Sequence, residues 1–410
     1  MPERGIIIVG AGESGASAAR SLRENGWSGA VTILGDEAWP PYERPPLSKS
    51  ALTDPGDPTL TSVLDSRQYG ELKIGTVLGG QVIAIDRPRH VVVTRAHGEF
   101  SYERLVLATG AGARRLAGEG AEHALVLRTF TDAIALRSRL RAGTKLVVIG
   151  GGFIGLEVAA SARRLDVAPT VIEAADRILS RSVPDDLAQR LAKRHRTEGV
   201  EFRVGCALER IYRDKDSYVV ECADGRRAIA DAIVAGIGSS PRTELAVAAG
   251  LEVDNGVAVN GRLQTSDPDI FAIGDCCSFP HPLYNGRRIR LEAWRNAQDQ
   301  GAFVGRALLG DEAEYQAVPW FWSDQYDLHL QIAGLPTEGS RIVRRDLGDG
   351  SVLDFHLTDE GRVVGASALG AIDKIGRDAR IAEKLIASRA TPDPAFLAKP
   401  GSKLKALLAA

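Results

Sequence analysis

The sequence predicts an α/β fold built from two strand–helix–strand units, followed by a smaller α+β region at the C-terminal end. Two observations support this prediction. An apolar run, a glycine-rich turn and a helical stretch occur in succession twice in the 410 residues, and each copy leads into another apolar run. After about residue 318 the pattern changes to alternating apolar and polar residues separated by short turns, which is typical of antiparallel strands.

The first unit lies near the N-terminus. Residues 6–9 predict a buried strand, GAGESG at 10–15 predicts a tight turn, and the following helix should continue to Asn25. The run AVTILGDE at 30–37 predicts the next strand. The turn has the G-x-G-x-x-G spacing of a Rossmann-like domain, whose glycines let the backbone approach a pyrophosphate at a helix N-terminus.

The second unit repeats this pattern. Residues 147–149 predict a strand, GGGFIG at 150–155 predicts the turn, a helix should continue to about residue 165, and residues 170–172 lead to Glu173. Each fingerprint is followed by an acidic residue about 20 positions later. One such fingerprint is a weak signal, whereas two in the same context predict two Rossmann-like dinucleotide-binding domains.

Hairpin-rich segments follow each unit and end in apolar strands, LVLATG at 105–110 and IVAGIG at 233–238. A further apolar strand, in FAIGDC at 271–276, ends at Gly274 and Asp275. We therefore predict a discontinuous domain at 1–111 and 240–317, a second domain at 112–239, and an α+β domain at 318–410 with a helical tail after Asp373.

Composition restricts the class of protein. The chain is 44% hydrophobic and 25% charged, with a net charge of −2, which favours a globular protein with neither nucleic-acid nor membrane partners. It contains neither an apolar run of about 18 residues nor a signal-peptide pattern, so we expect a cytoplasmic location. The cysteines show no C-x-x-C or metal-ligand spacing, which predicts buried, inert thiols and no metal site. They are Cys206, Cys222, Cys276 and Cys277.

Several motifs occur here in one order: RPPLSK, LVLATGA, VVIGGGFIGLE, FAIGDC and PWFWSDQ. In this order, over essentially the whole chain, the sequence resembles the NADH-dependent, FAD-containing ferredoxin reductases of Rieske-type dioxygenase and bacterial haem-thiolate monooxygenase systems. RPPLSK and PWFWSDQ are the most specific motifs. The resemblance implies a glutathione-reductase-like fold with FAD in the first domain and NADH in the second. It also implies an acidic [2Fe–2S] ferredoxin as the electron acceptor.

The resemblance also implies the residues of the FAD site. Asp36 would bind the adenosine ribose; it is displaced by one position, because Gly35 occupies the strand end, and Glu37 is a weaker candidate. The pyrophosphate would be held by Gly10, Gly12, Ser14 and Gly15. The remaining FAD contacts would be Lys49, Val82, Arg128, Asp275 and Trp294.

The NADH site is implied in the same way. Glu173 would accept hydrogen bonds from the ribose hydroxyls and repel the 2′-phosphate of NADPH, which favours NADH. Arg177 and Arg181 lie near enough in sequence to weaken this argument. The other implied contacts are Gly150, Gly152, Ile154, Gly155 and Gly238.

Three residues are candidates for a catalytic role. No cysteine precedes Cys206, so redox-dithiol chemistry at the RPPLSK segment is excluded, and the resemblance places Lys49 at flavin N5, paired with Glu157. The adjacent prolines predict that this segment becomes helical at about Leu47. A solvated Lys49 and a helix-dipole role for Glu157 are the alternatives. The resemblance places Trp320 beside the flavin at the acceptor-facing edge, and sheet packing is its alternative.

Basic residues around the LEAW segment are candidates for ferredoxin docking, with a solvated basic loop as the alternative. They are Arg287, Arg288, Arg290 and Arg295. Two other functions remain open: a rubredoxin reductase or other NADH-dependent flavin reductase, and a non-enzymatic, redox-switched binding protein like apoptosis-inducing factor. The net charge of −2 disfavours the last, which would require a strongly basic surface.

Overall fold

The computed structural model describes residues 5–408, which form two compact units. The first contains the chain up to Glu43 together with Leu60–Gly112 and Ser240–Pro319. The second contains Arg44–Thr59, Ala113–Ser239 and the chain from Trp320 onward. Short strands, Ala111–Ala113 and Ser239–Pro241, lie where the chain passes from one unit to the other.

The first unit is built on a mixed sheet whose central strand is Gly5–Val9. That strand pairs in parallel with Val31–Leu34 and with Gly98–Leu107. Because its side chains are buried on both faces, the strand is a continuous apolar run rather than an alternating one. The other strands of this sheet are Gly75–Val77, Val82–Asp86, Val91–Thr94 and Ile270–Ala272.

The main helices of the first unit are Glu13–Glu24 and Trp294–Ala307. They approach closely because Gly301 and Gly305 face the first helix: a Cβ on Gly301 would lie 2.6 Å from Ser14 O. The unit also contains the helices Ser66–Glu71, Glu244–Ala248, Gly274–Cys276 and Pro282–Tyr284, and a small sheet of Val257–Ala258, Cys277–His281 and Arg287–Ile289.

The second unit contains a five-stranded parallel sheet, with Lys145–Ile149 at its centre. Its other strands are Glu201–Arg203, Ala168–Ile172, Ala232–Ala235 and Leu125–Val126. A three-stranded antiparallel sheet follows, made of Leu208–Asp214, Ser217–Cys222 and Arg227–Ala230. The helices of this part are Ala121–His123, Phe130–Arg137, Phe153–Arg164 and Asp185–Thr197.

The C-terminal part of the second unit is a five-stranded antiparallel sheet with the helix Ile372–Ala387, as the sequence predicts. Its strands, in spatial order, are Trp320–Gln325, Leu328–Gly334, Val363–Gly370, Ser351–Leu357 and Arg341–Gly348. Short helices are Pro336–Glu338, Pro394–Ala398 and Leu404–Leu408. Leu330 and Ile332 of this sheet share a buried apolar cluster with Leu156 and Leu187, which joins the sheet to the preceding helices.

The RPPLSK segment differs from the sequence prediction. A 3-10 helix begins at Pro45 rather than at Leu47, because the fixed φ of proline suits the first turn of a helix. The helix stops at Lys49, where φ is −124° and ψ is −105°, and resumes at Ser50–Thr53. The sequence prediction includes residues 44–59 in the first domain, whereas their contacts group them with the second unit, where Ser48 and Lys49 bind Glu157.

The prediction of inert thiols is wrong for Cys206 and Cys222, which form a disulfide. The fold brings their Cα atoms to 5.7 Å, within the range that a disulfide spans, although no local motif links the two positions. Cys276 and Cys277 are buried thiols, and burial raises the pKa of each. Within residues 5–408 no helix has the length and apolar character needed to cross a membrane.

Candidate active site

The first glycine turn leaves an open face at the N-terminus of the helix Glu13–Glu24. Gly10 has a φ of +125°, and a Cβ there would lie 2.0 Å from Ala108 O. A Cβ on Gly15 would lie 2.1 Å from Gly10 O, so helix and strand touch through backbone atoms. A Cβ on Gly12 would meet nothing within 4 Å. This turn fits a pyrophosphate, which needs close backbone approach at a helix N-terminus.

A buried amide beside this turn also fits a bound FAD. Gln300 is 0% exposed, and its Oε1 accepts a hydrogen bond of 2.7 Å from the Gly274 N–H. Its Nε2 has no partner among the residues described, although buried amide donors are normally paired. Gly274 approaches Ser14 so closely that a Cβ would lie 2.7 Å from the serine Oγ. No sequence motif singles out Gln300.

The other predicted FAD residues are distributed over both units. Asp36 Oδ2 lies 2.7 Å from Arg242 Nη1 and Glu37 accepts the Tyr42 hydroxyl at 2.7 Å, so both carboxylates already have a partner. Asp275 and Trp294 lie in the first unit, as does the buried Val82. Arg128 lies in the second unit, where its N–H donates to Asp132.

The second glycine turn has the same construction. Gly150 has a φ of +108°, and a Cβ there would lie 2.4 Å from Gly236 O. A Cβ on Gly155 would lie 2.2 Å from Gly150 O, whereas the nearest atom to one on Gly152 would be 3.7 Å away. Ile154 is 45% exposed at the start of the helix, and Gly238, with a φ of +107°, follows the strand Ala232–Ala235.

Glu173 is anchored at this second turn. Its Oε2 accepts the Gly151 N–H at 2.7 Å and its Oε1 accepts the Ala175 N–H at 2.8 Å. A carboxylate has about four acceptor sites, so two remain after these bonds for the hydroxyls of a ribose. The carboxylate is therefore held in position before a ligand binds.

The nearby arginines differ in their availability. Arg177 donates to the carbonyls of Ile178, Val183 and Ser180, so its guanidinium is used within its own loop. Arg181 is exposed, and its Nη2 lies 3.7 Å from where a Cβ on Gly238 would be. Arg181 therefore points toward the Gly238 turn.

Lys49 and Glu157 meet in the second unit. Lys49 Nζ lies 2.8 Å from Glu157 Oε2 and 3.3 Å from Pro45 O. The carboxylate is buried, and it also accepts hydroxyl hydrogen bonds from Ser48 at 2.5 Å and Ser323 at 2.6 Å. Sequence reasoning missed both serines, although each lies within a quoted motif. An ammonium has three donors, so one N–H of Lys49 remains for a ligand.

Trp320 is 5% exposed at the start of its strand, and the Arg380 guanidinium lies 4.7 Å from its ring centroid.

Several of the predicted docking arginines already bind groups within this protein. Arg288 donates to Ser278 O, Arg290 pairs with Glu292, and Arg295 Nε lies 3.5 Å from Asp299 Oδ2. Arg287 is exposed.

Sequence comparison identifies the class to which this fold and these two glycine turns belong. Residues 4–301 match the family described as pyridine nucleotide-disulphide oxidoreductase, and residues 320–408 match the one described as reductase C-terminal. The chain therefore belongs to the pyridine nucleotide-disulphide oxidoreductase family and is an oxidoreductase.

Three individual proteins of known name are similar to this chain over most of its length. The ferredoxin–NAD(+) reductase component of the p-cumate 2,3-dioxygenase system of Pseudomonas putida is 38% identical over 98% of this chain and 97% of its own. Putidaredoxin reductase of Pseudomonas putida is 37% identical over 99% and 97%. Rubredoxin–NAD(+) reductase from the same species is 40% identical over 82% and 88%. The family resemblance inferred from the motifs is confirmed.

Solved structures agree with this result. Putidaredoxin reductase, in its covalent complex with putidaredoxin, matches with a TM-score of 0.91 and 36% identity over 99% of this chain and 98% of its own. The ferredoxin reductase for the CYP199A2 system from Rhodopseudomonas palustris matches with a TM-score of 0.92 and 34% identity over 98% and 99%.

Proposed function

We propose that this protein is a cytoplasmic NADH:ferredoxin oxidoreductase that serves a Rieske-type dioxygenase or a haem-thiolate monooxygenase. In this reaction one NADH becomes NAD⁺ and a proton, and two [2Fe–2S] ferredoxins each gain one electron. The ion pair between Lys49 and the buried Glu157 is the observation on which the proposal depends, because Lys49 lies in the segment where disulphide reductases of this class have their redox cysteines. The similarity to ferredoxin reductase components over nearly the whole chain supports it.

FAD, when bound, supplies the conversion of a two-electron donor into one-electron transfers. The first glycine turn would hold its pyrophosphate, with Gly10, Gly12 and Gly15 providing close backbone approach and Ser14 next to Gly274. Asp36, which pairs with Arg242, would bind the adenosine ribose. The other proposed FAD contacts are Val82, Arg128, Asp275, Trp294 and the unpaired Nε2 of Gln300.

The second glycine turn would hold NADH rather than NADPH. Glu173 is fixed by two backbone N–H groups, so it cannot turn away from a 2′-phosphate without losing those bonds. Hydrogen bonds to loop carbonyls hold the Arg177 guanidinium within its own loop, so it would have to break these bonds to reach a 2′-phosphate. Gly150, Gly152, Ile154, Gly155 and Gly238 complete the proposed site.

Lys49 would bring a positive charge to the flavin ring and stabilise negative charge that develops there. Glu157 reduces the cost of burying that ammonium, and it keeps Lys49 in one position, which matters because hydride transfer depends on alignment more than on acid–base groups. Trp320 is proposed to lie beside the flavin at the edge that faces the acceptor. Arg287, with Arg288, is the most accessible part of the proposed ferredoxin-docking cluster.

The proposal is tested by NADH-driven reduction of cytochrome c with the purified, FAD-loaded protein. We expect rapid reduction only when a [2Fe–2S] ferredoxin is added, and a KM for ferredoxin that rises with ionic strength. A rubredoxin reductase, which the similarity to a rubredoxin–NAD(+) reductase favours as the second candidate, would instead respond to added rubredoxin. A redox-switched binding protein would bind NADH and reduce neither carrier at a useful rate, which would contradict the proposal.

A further inference from the structure

A buried chain of hydrogen bonds extends from Glu157 away from Lys49. Ser323 Oγ donates to Glu157 Oε1 at 2.6 Å, and Gln325 Nε2 donates to Ser323 Oγ at 3.0 Å. Gln325 Oε1 lies 2.7 Å from His195 Nε2, and the Tyr326 hydroxyl lies 3.2 Å from His195 Nδ1. Side chains from the helix Asp185–Thr197 and the hairpin 320–334 thus reach the carboxylate in one continuous path.

The direction of each bond in this chain follows from the carboxylate at its end. The Ser323 proton is used by Glu157, so Ser323 Oγ accepts from the Gln325 amide nitrogen. That orientation presents the amide oxygen to His195, whose Nε2 must then carry its proton. The bare Nδ1 accepts from the Tyr326 hydroxyl. Every donor therefore points toward Glu157, which is the arrangement that an ionised carboxylate favours.

The polar side chains of this hydrogen-bond series are buried in the protein interior, where apolar residues are more usual. Ser323 and Gln325 are two positions apart on one strand and both are 1% exposed, so they lie on its buried face. His195 is 0% exposed on the helix face that also buries Leu191. Polar side chains cost free energy when buried and only recover it through complete pairing, whereas apolar residues would fill the same core without that requirement.

We propose that Ser323, Gln325 and His195 are positioning residues that hold the Glu157 carboxylate aimed at Lys49. This inference rests on the proposed function, in which the Lys49–Glu157 pair serves the flavin. It adds that the pair is held in position from the C-terminal sheet and the helix Asp185–Thr197, through residues that lie outside both glycine turns. If one hydrogen bond of this series is removed, the Glu157 side chain can rotate more freely. Lys49 then spends less time paired with Glu157 beside the flavin.

The expected effects decrease along the chain. Ser323→Ala removes a bond to Glu157 itself, and we expect flavin reduction at saturating NADH to slow about 10-fold. Gln325→Leu should slow it about 3- to 10-fold, and His195→Phe somewhat less. His195→Gln keeps an N–H near the Nε2 position and should restore a rate close to that of the wild type. The affinity for NADH should change less than twofold in each variant, because none of the three residues lies at the second glycine turn.

A readout other than turnover is the flavin midpoint potential. We expect Gln325→Leu to lower it by about 15–30 mV, which is the conversion of a 3- to 10-fold change in the equilibrium constant of a two-electron couple. His356→Phe is the matched control. His356 is also a buried histidine of the second unit, 3% exposed, with Nε2 3.1 Å from Ser367 Oγ, but no hydrogen-bond path within residues 5–408 links it to Glu157. Its loss should lower thermal stability without changing the reduction rate or the potential.

A double-mutant cycle separates positioning from general destabilisation. In a Glu157→Gln background the Ser323 hydroxyl no longer faces a carboxylate, so adding Gln325→Leu or His195→Phe should have no further effect on reduction. The proposal is overturned if Gln325→Leu and His195→Phe leave both rate and potential at wild-type values while Lys49→Met slows reduction, or if their effects equal that of His356→Phe. If Lys49→Met itself has no effect, the role of the pair in the proposed function fails instead.

Discussion

Lys49 Nζ lies 2.8 Å from Glu157 Oε2, in a pair whose glutamate side chain is 5% exposed and whose lysine side chain is 26% exposed. The pair joins the break after the 3-10 helix Pro45–Ser48 to the helix Phe153–Arg164, in which Glu157 is the fifth residue. Removing one member of a buried pair is more harmful than replacing both, because the remaining charge loses its partner in a poorly solvated position. This asymmetry makes the role of the pair testable.

Lys49→Met should slow the reduction of bound FAD by NADH about 10- to 150-fold, which corresponds to about 1.5–3 kcal/mol if one charged interaction is lost entirely in the transition state. The flavin midpoint potential should fall, because the ring loses its cation and Glu157 remains nearby. Stopped-flow absorbance and a redox titration measure the two quantities. FAD content should stay at the wild-type level, because Lys49 does not hold the pyrophosphate.

The double variant Lys49→Met with Glu157→Gln should recover part of the lost rate, because the stranded carboxylate is neutralised. Lys193→Met is the control, since Lys193 is exposed and lies outside both glycine turns. A Lys49→Met rate within twofold of the wild type would show that Lys49 is an ordinary surface lysine.

Glu173→Ala combined with Ala174→Arg should shift the preference from NADH toward NADPH. The variant loses the acceptor for the ribose hydroxyls, which should reduce kcat/KM for NADH about 10-fold or more, and it gains a cation for the 2′-phosphate. Steady-state kinetics with both nucleotides provide the ratio. Glu201→Gln, at an exposed acid on the neighbouring strand, should leave the ratio unchanged. An unchanged ratio in the double variant would remove Glu173 from the ribose site.

Gln300→Leu should weaken FAD retention by removing a buried amide. The variant loses the acceptor for Gly274 N–H and the unpaired Nε2 together, and it leaves a buried N–H without a partner, which costs about 1–3 kcal/mol. We expect a lower ratio of FAD to protein after gel filtration. Gln189→Leu, at an exposed glutamine of the second unit, serves as the control. Wild-type FAD content in Gln300→Leu would place that amide outside the cofactor site.

Much of this architecture follows from local sequence, because glycine turns and apolar strands impose their structure on a few neighbouring residues. Gly10 and Gly150 were found in this way. The residues that sequence reasoning missed contact partners that are distant from them in the sequence. Ser323 and His195 reach Glu157 only through the packing of the C-terminal sheet, and Cys206 meets Cys222 only after the hairpin forms. Neither hydrophobic periodicity nor motif spacing in the sequence predicts such contacts.

Buried histidines should make the protein less stable in mild acid. Burial lowers the pKa of His195 and of His356 to about 4 from an ordinary value of 6.5. Between these two values the unfolded chain binds more protons than the folded protein, so the free energy of unfolding falls as the pH falls. Each histidine contributes roughly 3 kcal/mol of this loss over the full interval.

Denaturant unfolding at several values between pH 7.5 and about 4 measures this slope. His195→Gln cannot titrate in that interval, so its stability should depend less steeply on pH than that of the wild type. Gln189→Leu is the control, because it replaces an exposed side chain that carries no titratable group, and it should leave the slope unchanged. Equal slopes for the wild type and His195→Gln would mean that the buried ring is not the source of the acid sensitivity.

The disulfide Cys206–Cys222 should stabilise the second unit. It should also hold the backbone around Glu173, at the proposed adenosine end of the nucleotide site, in a fixed conformation. It closes a loop with a sequence separation of 16, for which the chain-entropy estimate is about 3 kcal/mol. The Cys206 N–H donates to Glu173 O at 2.9 Å, and the Gly205 N–H donates to Ala175 O at 2.9 Å. Loosening this segment therefore disturbs the backbone that carries the Glu173 carboxylate.

We expect Cys222→Ser to lower the melting temperature and to raise the KM for NADH more than it lowers kcat. Cys277→Ala, at a buried thiol of the first unit, should leave the KM for NADH unchanged. Thiol titration of the denatured, unreduced protein should detect only the thiols of Cys276 and Cys277. Detection of all four cysteines as thiols would show that the bond does not form, and an unchanged KM in Cys222→Ser would separate it from the nucleotide site.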